Sequence, residues 1–354
     1  MVLKTKHMGK QTCVRLVIGV LAGLIVGLGS PAWALDPIPK ASGFDGYLEP
    51  SVGFMRLKDN MVAEMGFIEI GDDRIDSLGD SPDAETSATI GLDFNLGYTF
   101  ASTRTRLFVG SMVEDVLRYD LSQQVGVMQE AGRLGNFSAG FLFSGISTSV
   151  WEDPYVTGRK RRDTDRTDSG FRVVWDRILG TNFEFQYSWR DIDIDDERSG
   201  TFLGLSAAGR GRLDREGTKH RFSLAYRLKL SDRHTLAPQF IYVYDDRDGS
   251  ARKNKGYHGL LTYVFHSDPI TLILNGSLGY VDYDSRNPIF TKTQEDDVYG
   301  IAAAVYYKNP FGWTLWGSDR ISFVGKVGYF ESDANIDFYD STALFGSVGV
   351  AYRF

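Results

Sequence analysis

Charged side chains of both signs lie at even spacings within three neighbouring segments near the middle of the chain. Alternate residues of a β-strand point to the same face, so these charges would share one side of a sheet. Around a water-filled bore they would select ions or sugar acids, whereas pairing across strands would fill a narrow bore with ion pairs. The pattern favours neither arrangement over the other. The eight positions are Arg172, Asp176, Glu184, Arg190, Lys219, Arg221, Arg227 and Lys229.

Two runs of opposite charge flank the segment from 167 to 190. The basic run is Arg159, Lys160, Arg161, Arg162 and Arg166, and the acidic run is Asp191, Asp193, Asp195, Asp196 and Glu197. They could fold inward as a constriction, bind lipopolysaccharide phosphates, hold a divalent cation, or remain two solvated loops that attract each other weakly. The last is the interpretation we favour. The sequence does not match the motif of a calcium-binding loop, because Asp196 stands where that motif needs glycine and Phe202 where it needs glutamate.

The histidines form no clear pattern for metal binding or catalysis. The four histidines after residue 34 form no HxxxH or HExxH pair, so we predict no metal and no cofactor. A lipid hydrolase would need a nucleophile or acid beside a histidine, and His220 or His258 near a strand end could serve. No spacing singles out either residue. We therefore predict that the chain is not an enzyme, with a lipid-modifying enzyme as the third alternative.

The N-terminus has the layout of a secretory signal peptide. Four cations precede an apolar run of 14 residues, 16–29, which is shorter than the roughly 20 residues of a spanning helix. The small residues Ala32 and Ala34 predict cleavage after Ala34 and export through the Sec pathway. Cys13, the single cysteine, would leave with this segment, and the loss of the four cations changes the formal charge from −7 to −11. Such an acidic chain argues against nucleic-acid binding.

Short segments that alternate between apolar and polar residues follow. The clearest is 86–100, and a second, around 183–190, alternates aromatic with polar residues. Large aromatic residues lie near strand ends, as in the interfacial girdles of membrane barrels, which disfavours a soluble β-sandwich. These residues are Tyr98, Phe100, Trp175, Trp189, Tyr244, Tyr352 and Phe354.

Fourteen such segments can be counted. They are 44–57, 86–100, 103–115, 119–129, 135–147, 167–177, 182–190, 218–230, 235–244, 257–265, 270–281, 298–307, 320–331 and 342–354. We predict an all-β protein: a closed antiparallel transmembrane β-barrel spanning residues 35–354, with periplasmic N- and C-termini. Twelve strands is the alternative, because the third and fourth segments mix their faces. A longer connection at 309–319 is expected to hold a short interfacial helix.

The last strand ends on an aromatic residue, with apolar residues at every second position before it. Val348, Val350, Tyr352 and Phe354 resemble the sorting signal read by the barrel-assembly machinery. We therefore expect periplasmic chaperones and this machinery as partners during biogenesis. Outer-membrane lipid and lipopolysaccharide are the partners expected afterwards, and we expect a monomer in the bacterial outer membrane.

Several stretches resemble an uncharacterised proteobacterial outer-membrane family of unknown function. They are 43–47, 151–155, 162–170 and 195–200, and the similarity runs from Gly43 to the C-terminus. This resemblance implies no particular activity. The architecture is similar to monomeric twelve- to fourteen-stranded outer-membrane channels, which favours passive or selective diffusion of small polar or charged solutes. The alternative is a narrow or plugged barrel that acts as a surface binding or adhesion protein.

Overall fold

The chain is described here by a computed structural model that covers residues 38–65, 68–115, 120–145, 148–315 and 318–354. Its alternating segments form β-strands, as expected where one face is apolar and the other polar. Within the described ranges, none of the helices has the length and apolar character needed to cross a membrane.

Eighteen strands form one sheet. They are β1 (Gly43–Lys58), β2 (Val62–Met65), β3 (Ile68–Glu69), β4 (Ala84–Phe100), β5 (Thr105–Asp115), β6 (Asp120–Glu130), β7 (Asn136–Phe143), β8 (Thr148–Trp151), β9 (Asp163–Asp176), β10 (Phe183–Ile194), β11 (Gly217–Tyr226), β12 (Leu228–Lys229), β13 (His234–Arg247), β14 (Asn254–Ser267), β15 (Ile270–Tyr283), β16 (Glu295–Lys308), β17 (Ile321–Ala334) and β18 (Ser341–Arg353). A five-residue helix, α1, spans Ala207–Gly211, and single 3-10 turns span Gly132–Leu134, Ile178–Gly180 and Asp337–Tyr339.

The sheet closes on itself as an antiparallel barrel. β1 pairs with β4 on one side, from Gly43 opposite Thr99 to Lys58 opposite Ala84, and with β18 on the other. β7 and β8 both pair with β9 and form one interrupted position, while β12 continues β11 along β13. Because β2 and β3 are not among the strands that form this ring, the wall has fourteen strand positions. The predicted fourteen-stranded closed barrel is confirmed, and the twelve-strand alternative is wrong.

The connections differ in length at the two ends of the barrel. One end, the long-loop end, carries the segments 59–83, 152–162, 195–216, 248–253, 284–294 and 335–340. The opposite, short-turn end carries brief turns and one longer connection, 309–320, and also the first described residues and the C-terminus. In membrane barrels the longer loops face outward, so periplasmic termini remain the prediction.

The strand register separates two faces. Outward residues form an apolar surface in which large side chains such as Val52, Ile90, Leu278, Ile301 and Val348 are more than half exposed. Aromatic neighbours make pairs on this surface, including Phe171 with Trp189 and Tyr352 with Phe354. This is the surface that a barrel presents to lipid. Inward residues include most of the buried charged and amide side chains, so polarity is reversed relative to a soluble protein.

Some strand boundaries differ from the expectation. β7 ends at Phe143, before the end of the expected segment 135–147, and the strand position is continued by β8 beyond that segment, while β10 continues through Asp191 and Asp193 to Ile194. No helix occupies 309–315 or 318–319, so the interfacial helix expected at 309–319 is not found in its described part. There the side chain of Asn309 bonds the backbone of Trp313 and Asp319, which holds an irregular loop. The expected signal peptide, with Ala32 and Ala34, lies outside the described residues and stays a prediction.

Candidate functional site

The barrel interior holds seven of the eight charged residues that the strand pattern placed on one face. Asp176, Glu184, Arg190 and Lys219 are buried there, because their strands turn these positions inward. Arg172, Arg221 and Arg227 also belong to the inward set and are half-buried. Lys229 is the exception. It lies near the short-turn end with its side chain 65% exposed and binds Asp232 in the adjoining turn, so it does not line the bore.

Arg190 is the centre of one buried ion pair. Its guanidinium is 1% exposed and donates to Asp168 Oδ1 and to Ser122 Oγ, both at 2.8 Å. The Asp168 carboxylate lies 3.5 Å from Arg166 as well. These three charged residues come from the adjacent strands β9 and β10. Here pairing across strands, one of the two arrangements considered from the sequence, is present.

A second buried ion pair was not anticipated. Lys326 Nζ on β17 lies 2.5 Å from Glu49 Oε1 on β1, and both side chains are at most 3% exposed. Asp93 on β4 lies 3.9 Å from the same ammonium and accepts from the Tyr47 hydroxyl. In the sequence, the signal for this pair was Lys326 itself, a lysine flanked by small and apolar residues on an alternating strand. Its acidic partner is 277 positions away in the sequence, so only barrel closure brings the two together.

One side of the bore keeps solvent-accessible polar surface. Six inward polar residues on this side are partly exposed, whereas inward apolar neighbours such as Ile241, Val243 and Ile273 are buried. Gln239 donates to Ser223 at 2.8 Å across β13 and β11, and the other polar residues belong to β9, β11, β14 and β15. The set on this side is Arg172, Arg221, Gln239, His258, Asn275 and Ser277. The bore is therefore partly polar on this side, with polar and apolar inward residues intermixed.

The loops at the long-loop end pack into a compact cover, which we call the lid. Its core contains Ile75, Tyr155, Leu213, Phe338 and Tyr339, contributed by four different connections. The Tyr155 and Tyr339 hydroxyls are 2.7 Å apart, and burial raises the pKa of Tyr155 well above its ordinary value. The lid therefore has its own hydrophobic core. These loops are not the separate polar tips that their composition suggested.

Arg161 joins the lid together, which corrects its assignment to a solvated loop. It is 1% exposed, and its guanidinium donates to the carbonyls of Asn60, Pro154 and Asp72. The guanidinium also lies 4.4 Å from the centre of the Trp151 ring. Burial lowers the pKa of Arg161 to about 10. A residue placed in a basic run is thus a structural cross-link between two loops.

The other members of the two charge runs lie apart. Arg159, Lys160 and Arg162 are exposed on the lid, where Lys160 pairs with Asp73 at 2.8 Å and Arg162 with Glu152 at 2.8 Å. Arg166 is buried inside β9 and does not belong to the loop.

The acidic run is divided as well. Asp191 and Asp193 are exposed on the outer face of β10, Asp195 and Asp196 are exposed beyond it, and Glu197 binds Arg215 at 2.5 Å. The two runs are therefore not drawn together into one constriction. Among the described residues, no group of three or more His, Cys, Asp or Glu side chains is arranged to hold a metal ion.

The first long connection, 59–83, enters the barrel. Its strand β2 pairs with the edge of β8, and β3 pairs back onto β2 to form a small hairpin. Val62 and Met65 of this hairpin pack against the inward side chains of Met55 and Phe345. The hairpin therefore occupies part of the bore at the long-loop end, beneath the lid.

A cavity of about 140 Å³ lies between the start of the first connection at Asp59 and Met61, the lid and the barrel wall, and we call it the chamber. Four arginines and three aspartates line it, together with His258, Tyr283 and Tyr339. The charged set is Arg166, Arg215, Arg247, Arg252, Asp59, Asp245 and Asp296. Sequence reasoning missed these residues except Arg166 and His258, because they lie in polar loops or at strand ends and gave no motif.

The two histidines considered for catalysis are on opposite faces of the wall. His220 faces outward on β11, stacks between Tyr187 and Tyr244, and lies 2.9 Å from the Tyr187 hydroxyl. His258 faces the chamber from β14. The two residues therefore do not belong to one site.

The C-terminal residues lie at the closure seam. Phe354 exchanges backbone hydrogen bonds with Gly46 at 3.1 and 3.4 Å, which extends the pairing of β1 with β18. Its ring stacks on Tyr352, and Val348 is 64% exposed on the outer surface. Val350 lies on the same face, between Val348 and Tyr352. Their use as an assembly signal remains a prediction.

The chain belongs to the family described as Protein of unknown function (DUF2860), which matches residues 43–353. The predicted membership of an uncharacterised family is therefore confirmed. Comparison with curated protein sequences gives no match.

Several solved outer-membrane proteins are similar in overall architecture. A loop-deletion mutant of OmpT, an outer membrane protein of Vibrio cholerae, is 11% identical with a TM-score of 0.39, over 89% of this chain and 100% of that one. The outer membrane channel DcaP of Acinetobacter baumannii is 10% identical with a TM-score of 0.40, over 88% and 97%. OprD from Pseudomonas aeruginosa is 10% identical with a TM-score of 0.36, over 91% and 95%. At such low identity, no solute or functional residue transfers to this chain.

Proposed function

From the geometry of this DUF2860 member we propose a selective outer-membrane channel for small polar or charged solutes. The observation that carries the proposal is the set of partly exposed polar residues that line one side of the bore, from Arg172 to Ser277. Buried ion pairs occupy other parts of the interior, so solutes would pass along the lined side. The lid and the β2–β3 hairpin narrow the long-loop end and make passage selective.

The surroundings of the barrel fit this proposal. The outward apolar surface would face outer-membrane lipid, and the exposed cations of the lid would face lipopolysaccharide phosphates. Export through the Sec pathway and delivery by chaperones to the barrel-assembly machinery complete the proposed route. We propose that the barrel works as a monomer.

Planar-bilayer recordings on the purified barrel test the channel directly. We expect discrete conductance steps, with anion preference reduced when Arg221→Gln removes a cation from the lined side of the bore. Arg198→Gln removes an exposed lid cation and serves as the matched control, since it should leave ion preference unchanged. A barrel that is folded but carries no current would rule out the channel.

A second function is favoured by one observation, the hydrophobic core of the lid. A permanently closed barrel with a rigid outer surface would suit a surface binding protein. Replacing Arg159, Lys160 and Arg162 by serine removes three exposed lid cations but keeps Arg161 and the lid core. Loss of lipopolysaccharide binding in this variant would support the binding function, and unchanged binding would reject it.

A further inference from the structure

The chamber contains a buried cation with spare hydrogen-bonding capacity. Arg215 is 7% exposed, and its Nε donates to Glu197 at 2.5 Å while Nη2 donates to the carbonyl of Trp151 at 2.8 Å. Nη1 has no hydrogen-bond partner among the described residues. A buried donor left without a partner costs on the order of 1 to 3 kcal/mol, and more for a charged group. An acceptor in the chamber would remove that cost.

A second polar group on the chamber wall is in the same condition. Ser341 is 6% exposed, and its hydroxyl has no partner within the part of the chain that the structure describes. Ser341 begins β18, whereas Arg215 belongs to the connection between β10 and β11. Both residues line the chamber, so two separate elements contribute buried, unengaged donors to its wall.

The carboxylates of the chamber already accept hydrogen bonds from the protein. Asp245 accepts from Arg247 at 2.5 and 3.3 Å, and Asp296 accepts from Gln294 at 2.8 Å. Asp59 accepts from the backbone amide of Met61 at 2.6 Å. The unengaged capacity thus lies with a cation and a hydroxyl, which suits an anionic ligand.

Chamber size limits the ligand. A cavity of about 140 Å³ is close to the roughly 150 Å³ cavity that accommodates benzene in an engineered protein. Arg252 lies 4.8 Å from the Tyr339 ring centre and 5.5 Å from that of Tyr283, so aromatic faces adjoin the charged groups. A compact anion with an apolar body fits both properties.

We propose that the chamber is a binding site for small organic carboxylates, with Arg215 Nη1 and the Ser341 hydroxyl as the donors that recognise the carboxylate. A carboxylate has two oxygens, and each donor would engage one of them. This inference rests on the proposed function in that it names the solute class of the channel. The site itself is tested by binding measurements that do not require conductance.

Benzoate and benzamide are suitable probes, because they share ring and shape and differ in charge at neutral pH. Calorimetric titration of the folded full-length barrel in detergent should show benzoate binding at least about tenfold tighter than benzamide, as expected for a charge-assisted hydrogen bond. Inorganic phosphate should bind more weakly than benzoate, because only two donors are unengaged. Tighter binding of phosphate would overturn the carboxylate assignment.

Two variants test the named donors. Ser341→Ala removes a hydroxyl that has no hydrogen-bond partner among the described residues, so the barrel should fold normally and bind benzoate about fivefold more weakly. Arg215→Lys keeps a cation for Glu197 but removes the guanidinium fork, and it should lower affinity about tenfold or more. Lys160→Met, which removes an exposed lid cation, is the control and should bind as the unmodified protein does. Equal binding of benzoate by all four proteins would overturn the site.

Conductance of the same preparations separates this inference from the proposed function. A current that benzoate reduces, with less reduction in Ser341→Ala, supports both. Benzoate binding without any current keeps the site and refutes the channel. A current together with equal binding of benzoate and benzamide in the titration keeps the channel and refutes the site.

Discussion

Arg161 is held by three backbone carbonyls and a tryptophan ring at a position almost free of solvent. A guanidinium in such a place is retained because its donors complete the hydrogen bonding of loops that would otherwise bury unpaired carbonyls. Its neighbours in the basic run have no such role. Identical residue types two positions apart therefore differ in function because of burial alone.

Replacing Arg161 by methionine should open the lid without unfolding the barrel. The change leaves three buried carbonyls without their donor and should cost the lid about 2 to 5 kcal/mol. Limited proteolysis of the lid across a urea series measures this loss. Arg159→Met in the same loop is the control, because Arg159 is exposed and lies over the Phe202 ring at 4.6 Å. Equal protease resistance of the two variants would contradict the cross-linking role.

Lys326 and Glu49 form the other residue-level test. Lys326→Met leaves the Glu49 carboxylate buried without its closest cation, which should destabilise the barrel by about 3 to 5 kcal/mol. The double variant with Glu49→Gln should lose less than the two single losses together, as measured by urea unfolding in lipid vesicles.

Lys308→Met is the control for this pair. Lys308 and Asp268 are 3.5 Å apart but more than half exposed, so their contribution should be within about 0.5 kcal/mol. Additive losses for Lys326 and Glu49 would show that their proximity carries no coupling.

At the level of elements, the hairpin β2–β3 distinguishes this barrel from a bare cylinder. Its strands are too short to be stable alone, and they gain stability from the edge of β8 and from inward apolar side chains. The hairpin narrows the bore, whereas the strands of the wall provide the stability of the fold. Removing it should therefore change passage more than stability.

Replacing residues 59–83 by a four-residue turn tests this division. Lys58 and Ala84 are paired opposite each other, so a tight turn can join β1 to β4. We expect single-channel conductance to rise severalfold, because the bore loses both the hairpin and part of the lid core. Shortening 310–319 at the short-turn end is the control and should leave conductance unchanged. Equal conductance in both shortened proteins would show that the hairpin does not limit passage.

At the level of the whole molecule, the barrel exists only when β1 meets β18. Phe354 contributes two backbone hydrogen bonds at that seam and a ring that is 37% exposed. The proposed assembly signal gives it a separate role during insertion.

Phe354→Ser should therefore lower the amount of folded barrel at the cell surface far more than it lowers the stability of protein refolded in detergent. Surface protease accessibility and heat-modified mobility in gels measure the two quantities. Phe44→Ser is the control, since Phe44 is an outward aromatic residue near the same seam with 80% of its surface exposed. Normal surface levels of Phe354→Ser would contradict the sorting role.

The sequence by itself determined the strands of the barrel wall and the faces of their side chains. Alternation at period two, as in 86–100, gives strand positions and faces directly, because each side chain's face depends only on its neighbours along the chain. Strand number, the closed antiparallel form and the inward placement of residues such as Arg190 followed from this local rule. The family resemblance was also recognisable from local stretches.

Tertiary structure alone decided the contents of the bore. Lys326 meets Glu49 only when the barrel closes, and Arg215 reaches the chamber only when the lid has folded. Loop residues have no periodicity that reveals their partners, so Arg161 looked like any solvated cation. Burial and pairing between distant segments depend on the packed loops, and these set which charges are held as ion pairs and which remain for a ligand.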